Sequence, residues 1–237
     1  MPAELAERYG GPLAFPATRP RVVANFVSTV DGVVSYALPG RAAASFVSGG
    51  NEADRFVLAL LRACADAIVV GAGTLRQERD HIWTPDFVFP ELAGQFAALR
   101  HAMGKPLRAP IIFVSASGAI DREAPVFSAG LPIRVLTGKR SSAEIVVESG
   151  AGLILCEGGP TLLGVFLREQ ALDELFLTIA PRFAGRANAA RRPALVEGWA
   201  FSPESSPRGT LLSLKRSGDF AFLRYSLETK AFRSSTA

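Results

Sequence analysis

Two glycine-rich segments contain the residues whose types and spacing could do chemistry. One runs from Gly71 to Thr74 and the other from Glu157 to Leu162, and each lies between a short apolar run and a helical pattern. Glycine lets the backbone approach a ligand closely and adopt positive φ, and the start of a helix presents free amides to an anion. Ligands of open α/β sheets bind beyond the carboxyl ends of the strands. Two such loops in one sheet could therefore hold the phosphates of one dinucleotide.

Neither loop is specific by itself. Neither contains G-x-G-x-x-G or G-x-x-x-x-G-K-[ST], the spacings typical of dinucleotide and nucleoside triphosphate sites, and a tight turn also explains each loop. The loops therefore indicate a phosphate- or nucleotide-binding α/β domain without specifying a reaction. The sequence shows no nucleophile–base pair, which disfavours a hydrolase.

The elements around the loops alternate between buried strands and helices. Strands are predicted at residues 22–27, 67–70, 111–114, 133–136, 152–156, 175–179, 211–214 and 220–227. Helices are predicted at residues 51–64, 91–102 and 161–168, and another begins at the capping box of Ser141 and Glu144. This alternation predicts an α/β fold with a mostly parallel central sheet, followed by an antiparallel hairpin that turns at residues 217–219.

Composition limits the class of protein. The 237 residues are 49% hydrophobic and 20% charged, which allows a sizeable core and excludes a disordered or fibrous chain. Lys and Arg number 26 against 22 Asp and Glu, and because no long basic run is present we expect no nucleic-acid partner. Cys64 and Cys156 lie in apolar stretches and are predicted to be reduced core thiols. With only two His residues in the chain, we expect no metal site.

Location and domain limits follow from other features of the sequence. Because no apolar run is long enough to span a bilayer and the N-terminus lacks a secretory signal, we expect a cytoplasmic protein with no membrane partner. Residues 1–19 contain several Gly and Pro residues and are expected to form an N-terminal tail. We expect residues 20–229 to form one domain and residues 230–237 a C-terminal tail.

Taken in order, the motifs resemble a known family. They are similar to the reductase domain of riboflavin biosynthesis, the C-terminal half of bifunctional deaminase-reductases, which shares the dihydrofolate-reductase-like fold. The matching segments lie within residues 25–32, 61–76, 156–162 and 172–185. The resemblance implies a three-layer α/β/α fold and an NADPH-dependent reductase. In the family, hydride passes to the sugar carbon of a ribosylamino-pyrimidine phosphate.

The resemblance also implies roles for individual residues. Cofactor contacts are expected at Gly71, Ala72, Gly73, Thr74, Glu78, Ser115, Gly158, Gly159, Pro160 and Thr161. The substrate is expected to face Asn25, Ser28, Asp31 and Ser45. Glu157 is the candidate catalytic residue, which would orient the substrate or relay a proton, with bound water as the alternative donor. Asp31 could instead be a turn residue in its Asp-Gly pair.

The sequence departs from the family pattern in two places. Asn25 stands where the bifunctional enzymes carry Lys, and residues 78–86 replace the usual Asp-Asp-Pro and its continuation. His81 and Trp83 in that segment could line the substrate pocket or belong to a surface loop. The acceptor therefore stays open, and a reductase of a pterin, folate-like or other carbonyl or imine substrate is an alternative. A nucleotide-binding module without turnover is another.

Two expectations concern assembly. The family implies a homodimer. In the bifunctional enzymes a deaminase domain precedes the reductase, whereas here about nineteen residues precede the first strand, so we expect no deaminase activity.

Overall fold

One eight-stranded sheet organises the protein. The computed structural model describes residues 1–16, 18–187 and 191–229. The strands are β1 (Arg21–Thr29), β2 (Ala67–Gly71), β3 (Ile111–Ser115), β4 (Ile133–Thr137), β5 (Leu153–Cys156), β6 (Glu174–Ala180), β7 (Gly209–Ser217) and β8 (Phe220–Leu227). Their order across the sheet is β4-β3-β2-β5-β1-β6-β8-β7. Pairing is parallel from β4 to β6, and β8 is antiparallel to both β6 and β7.

Helices cover both faces of the sheet. They are α1 (Ala3–Tyr9), α2 (Ala44–Ser48), α3 (Glu52–Cys64), α4 (Ala72–Gln77), α5 (Pro85–Val88), α6 (Ala93–Ala102), α7 (Ser142–Ser149) and α8 (Pro160–Arg168), with 3-10 turns at Pro90–Leu92 and Pro125–Ser128. Residues of α1, α3 and α6 form one buried cluster with one face of the sheet. Residues of α7 and α8 form a second cluster with the opposite face. The predicted three-layer α/β/α arrangement is therefore confirmed.

Local sequence signals explain where the principal helices begin. The Asn51 side chain accepts a hydrogen bond of 3.0 Å from the Asp54 amide and caps α3. Ser141 and Glu144 form the predicted capping box at the start of α7. Pro160 occupies the first turn of α8, where its missing N–H removes no intrahelical hydrogen bond.

The N-terminal segment differs from the expected tail. Residues 3–9 form α1, Leu5 is fully buried and Tyr9 is nearly so. Both side chains belong to the cluster on the α3 face of the sheet, so this segment contributes to the core. The domain limits at 20 and 229 remain predictions, and the expected C-terminal tail lies outside the described residues.

The cysteines behave as predicted. Cys64 and Cys156 are both free and buried. Burial raises the pKa of Cys64 to about 11 and that of Cys156 to about 12, so neither thiol is a ready nucleophile. Within the ranges that the structure describes, no helix is long and apolar enough to cross a membrane.

The burial of α1 predicts a stability effect. Leu5→Ala should lower the free energy of unfolding by about 2–5 kcal/mol, because it opens a cavity in a closed core. The exposed neighbour provides the control, and Glu7→Ala should change stability by no more than about 0.5 kcal/mol. Urea unfolding measures both. Equal stability of Leu5→Ala and the parent protein would show that the segment is a detached tail.

Candidate active site at the glycine loops

The two glycine loops meet at the carboxyl edge of the sheet. β2 and β5 are parallel neighbours, so the loops that follow them turn side by side. A Cβ atom on Gly71 would lie 3.7 Å from the amide nitrogen of Gly159, and one on Gly159 would lie 3.2 Å from Thr74 Oγ1. A Cβ atom on Gly158 would lie 2.3 Å from Leu162 Cδ2 and would force that side chain to move. The loops therefore lie side by side and form one surface.

The starts of two helices point to this surface. α4 begins after Gly71 and α8 begins after Gly159, and in the described part of the chain neither start has a side-chain cap. Uncapped amides and the positive end of the α8 dipole favour an anion there. The arrangement suits the pyrophosphate of a dinucleotide.

A buried cluster of charged and polar groups lies behind the loops. Arg62, on α3, is 1% exposed, and its Nε and Nη2 donate to the two carboxylate oxygens of Glu157 at 2.8 and 2.6 Å. Its Nη1 donates to the carbonyls of Ile82 and Thr84 at 3.3 and 3.1 Å. Nη2 also lies 2.8 Å from His81 Nε2. One guanidinium therefore joins α3, the end of β5 and the segment that precedes α5.

The contact with Arg62 fixes the state of His81. A guanidinium can only donate, so Nε2 of His81 accepts and the ring proton lies on Nδ1, which is 3.6 Å from Glu78 Oε2. Burial, with a smaller contribution from the charge of Arg62, lowers the pKa of His81 to about 2. His81 is therefore neutral at physiological pH.

Glu78 faces the same cluster. Its Oε1 accepts the Ala44 amide at 3.0 Å, which fastens α2 to the end of α4. Burial raises the pKa of Glu78, and the hydrogen bond from Ala44 partly opposes this shift. Both carboxyl oxygens face protein groups, so the predicted cofactor contact of Glu78 remains a prediction.

The geometry of Glu157 favours one of its two predicted roles. Both oxygens accept from Arg62, and protonation of Glu157 would remove the negative charge that strengthens these hydrogen bonds. The carboxylate still has lone pairs that can accept a hydrogen bond from a ligand. The structure therefore suits a Glu157 that orients the substrate better than one that relays a proton.

The structure separates the residues predicted to face substrate. Asn25 and Ser28 are three positions apart on β1, so their side chains project from opposite faces of the sheet. Asn25 lies on the α3 face, where it lines a cavity, whereas Ser28 is buried on the α8 face. One ligand on one face cannot contact both side chains. Ser45 is exposed on α2, close to the Ala44–Glu78 contact.

Asp31 forms hydrogen bonds with the loop that follows β6. Its carboxylate accepts from the Thr29 hydroxyl at 2.6 Å and from the amides of Ala184 and Gly185 at 3.0 and 2.7 Å. These hydrogen bonds, that of Thr29 above all, lower the pKa of Asp31 to about 2. Asp31 thus joins the β1 turn to a distant loop, and its contact with substrate remains a prediction.

Two other predicted residues are placed by their local contacts. Ser115 ends β3 at the same edge as the glycine loops, and its hydroxyl donates to the Ala119 carbonyl at 2.7 Å. Trp83 is 2% exposed and packs edge-on against Phe113, with ring centres 5.4 Å apart. Trp83 is therefore packed in the core, which agrees with the alternative of a loop that carries one packed Trp and does not agree with a pocket wall.

The buried charged groups at Arg62 and Asp54 are not among the residues predicted from the sequence. The usable signal for Arg62 is a lone Arg within the apolar run 60–64. Asp54, in the first turn of α3, is buried with hydrogen bonds from Thr178 and Ser48, and desolvation raises its pKa. Among the described residues, no group of His, Cys, Asp and Glu side chains is arranged to hold a metal ion.

A family model decides the relationship of this chain to known proteins. The model of the RibD C-terminal domain matches residues 20–217. The chain belongs to this family. It is 30% identical over 169 residues to the riboflavin biosynthesis protein RibD of Mycobacterium tuberculosis, which corresponds to 70% of this chain and 43% of that protein. The chain thus spans less than half the length of the curated relatives it matches.

Solved structures share the fold. A pyrimidine reductase-like protein from Corynebacterium diphtheriae aligns with a TM-score of 0.67 at 22% identity, over 95% of this chain and 99% of that one. A RibD structure from Acinetobacter baumannii aligns with a TM-score of 0.64 at 17% identity, over 88% of this chain and 58% of that one. The fold class predicted from the sequence, dihydrofolate-reductase-like with a mostly parallel sheet, is confirmed.

The Arg62–Glu157 pair predicts an energetic coupling. Arg62→Met should lower the free energy of unfolding by about 3–5 kcal/mol, because it leaves the Glu157 carboxylate buried without a partner. Adding Glu157→Gln should recover part of this loss, with a coupling energy of about 0.5–3 kcal/mol in a double-mutant cycle. The exposed Arg41→Met is the control. Additive effects of Arg62→Met and Glu157→Gln would contradict the pairing.

The neutral His81 predicts a dependence of stability on pH. The unfolded chain binds a proton on His81 near pH 6.5 that the folded chain does not bind, so the free energy of unfolding falls as pH drops. This group should contribute about 1.4 kcal/mol per pH unit below that value. His81→Gln retains an acceptor for Arg62 and should remove this part of the slope. Parallel stability curves for the two proteins between pH 7 and pH 5 would refute the assignment.

Proposed function

We propose that this chain is an NADPH-dependent reductase that transfers hydride to a ribosylamino-pyrimidine phosphate or a closely similar small heterocycle. The observation that carries the proposal is the contact between the two glycine loops at the carboxyl edge of the sheet, in a chain of the RibD C-terminal domain family. Because Gly158 and Gly159 carry no side chain, the backbone of the second loop is bare, as the approach of a pyrophosphate requires.

In this proposal the chain acts mainly by positioning. NADPH supplies the hydride when bound. Backbone at Gly71–Thr74 and at the start of α8 holds the phosphates, and Ser115 lies toward the adenosine end. Glu157, held by both Arg62 nitrogens, accepts a hydrogen bond from the acceptor and orients it. Because both carboxylate oxygens of Glu157 already accept hydrogen bonds from Arg62, we favour bound water as the proton donor.

Residues 78–86, which depart from the family pattern, are relevant to which acceptor the chain reduces. His81 contacts Arg62, and Trp83 packs in the core, so neither side chain is free to reshape a pocket. The unusual sequence therefore changes how the segment is anchored. This supports a pyrimidine-type acceptor, with Asn25 and Ser45 as the residues proposed to face it.

The cofactor proposal predicts the effect of a single methyl group. Gly159→Ala should weaken NADPH binding by tenfold or more, or about 1.4 kcal/mol, because the methyl group meets Thr74 and displaces the loop. Gly94→Ala is the matched control, since a Cβ atom on Gly94 has no atom within 4 Å. Fluorescence titration with NADPH measures both. The protein with bound NADPH is then mixed separately with ribosylamino-pyrimidine phosphate and with dihydrofolate. The compound that it reduces is the one that causes NADPH fluorescence to fall. Failure to bind either NADPH or NADH contradicts the proposal.

We further propose that the chain forms a homodimer through the outer face of the β7–β8 hairpin. Leu211, Leu212 and Leu214 are 47%, 49% and 62% exposed on the edge strand β7. Leu223 and Tyr225 of β8 pair with β7 and are only half-buried. An exposed apolar edge of this kind is a typical association surface.

The dimer proposal predicts a change of mass in one variant. The parent protein should elute with twice the chain mass in light scattering after gel filtration, and Leu214→Lys should shift it toward the monomer, because a charge would be buried at the interface. Val147→Lys alters an even more exposed apolar residue on α7 and should leave the mass unchanged. A monomeric parent at high micromolar concentration would refute the proposal.

A further inference from the structure

The short helix α2 carries Ser45, one of the two residues proposed to face the acceptor. Val47 of α2 is fully buried and packs in one cluster with Val27 of β1 and Ala180 of β6. Because Val27 stands two positions after Asn25 on the same strand, both side chains project from the same face of the sheet. The helix α2 therefore lies on the face that carries Asn25, so Ser45 and Asn25 belong to one side of the molecule.

The start of α2 takes its cap from another element. The N-cap position holds Ala43, whose methyl group cannot accept a hydrogen bond. The first helical amide, that of Ala44, donates instead to Glu78 Oε1 at 3.0 Å. The first amides of a helix need partners from outside it, and a carboxylate suits the positive end of the helix dipole. Glu78 thus supplies the cap that the sequence before α2 lacks.

The carboxylate of Glu78 is itself held in place. Glu78 is the residue that ends α4, and its amide donates to the Thr74 carbonyl at 2.9 Å. Its side chain is only 16% exposed, and its Oε2 lies 3.6 Å from His81 Nδ1. His81 contacts Arg62, the buried guanidinium that also holds Glu157. The cap of α2 is therefore tied to the groups that fix Glu157.

We propose that Glu78 is a positioning residue for the acceptor, which acts by fixing the start of α2 and with it the hydroxyl of Ser45. The inference rests on the proposed function and moves Glu78 from the expected cofactor contact to the acceptor side. Ser45 directly follows Ala44, so the hydrogen bond to Glu78 limits how far the backbone that carries the hydroxyl can shift. Small displacements of a group that orients a reactant are costly.

Steady-state kinetics with ribosylamino-pyrimidine phosphate, together with fluorescence titration with NADPH, test the proposal. Glu78→Met fills the same space without an acceptor for the Ala44 amide. It should raise the KM of the pyrimidine about tenfold and change kcat by less than about threefold, because Ser45 binds the ground state and the transition state alike. The Kd of NADPH should stay within about twofold of the parent value.

Two further variants control for loss of charge and for general effects of removing a cap. Glu78→Gln keeps an oxygen that can accept from the Ala44 amide and should recover most of the lost affinity for the pyrimidine. Glu144→Met removes a carboxylate that accepts the Ser141 amide at the start of α7, and it should leave both the KM and the Kd unchanged. Glu78→Ala replaces Glu78→Met if the latter does not fold.

A double-mutant cycle shows whether Glu78 acts through Ser45. Ser45→Ala should raise the KM about tenfold in the parent protein and less than about threefold in Glu78→Met, since the two residues act as one unit. Full multiplication of the two effects would overturn the proposal. A weaker binding of NADPH by Glu78→Met would assign Glu78 to the cofactor and would overturn it too.

Hydrogen exchange followed by NMR tests the contact without turnover. The Ala44 amide should exchange at least about fivefold faster in Glu78→Met than in the parent protein, and Glu78→Gln should keep the parent rate. Equal rates in Glu78→Met and the parent protein would overturn the inference and leave the proposed function in place. A parent protein that binds NADPH but does not reduce the pyrimidine would overturn the proposed function, and the inference would fall with it.

Discussion

The parallel pairing of β5 between β1 and β2 is the constraint on which the candidate site depends. Cys156 lies beside Ala24 on one side and beside Val69 on the other, so the chain that leaves β5 must turn against the chain that leaves β2. The two loops lie in van der Waals contact there, and the side chains of Leu162 and Thr74 fill the space beside Gly158 and Gly159. Sheet packing and anion binding call for the same residue type, which is why the glycines alone do not specify a reaction.

The Arg62 cluster connects this edge to the helical layer above it. A buried guanidinium is unfavourable unless its donors are satisfied, and Arg62 satisfies them with a carboxylate, an imidazole and two carbonyls. The segment that departs from the family pattern supplies the imidazole and carbonyls. Its unusual residues therefore support the position of Glu157.

Much of the architecture could be predicted because buried parallel strands read as continuous apolar runs, as in β2 and β5. The helix α1 could not be predicted, since it has few apolar positions and its burial depends on contacts with residues distant in the sequence. The opposite orientations of Asn25 and Ser28 follow from the two-residue period of a strand, so the sequence alone could have shown that they face different sides of the sheet. The partner of Arg62 lies 95 residues away, a pairing that only the folded sheet reveals.

The central claim is that the two glycine loops hold one dinucleotide, and a crystal structure of the NADPH complex tests it most directly. We expect the pyrophosphate within hydrogen-bonding distance of the backbone at Gly159 and the start of α8, with the adenosine toward Ser115 and the nicotinamide toward Glu157. A pyrophosphate bound anywhere else on the protein would contradict this claim.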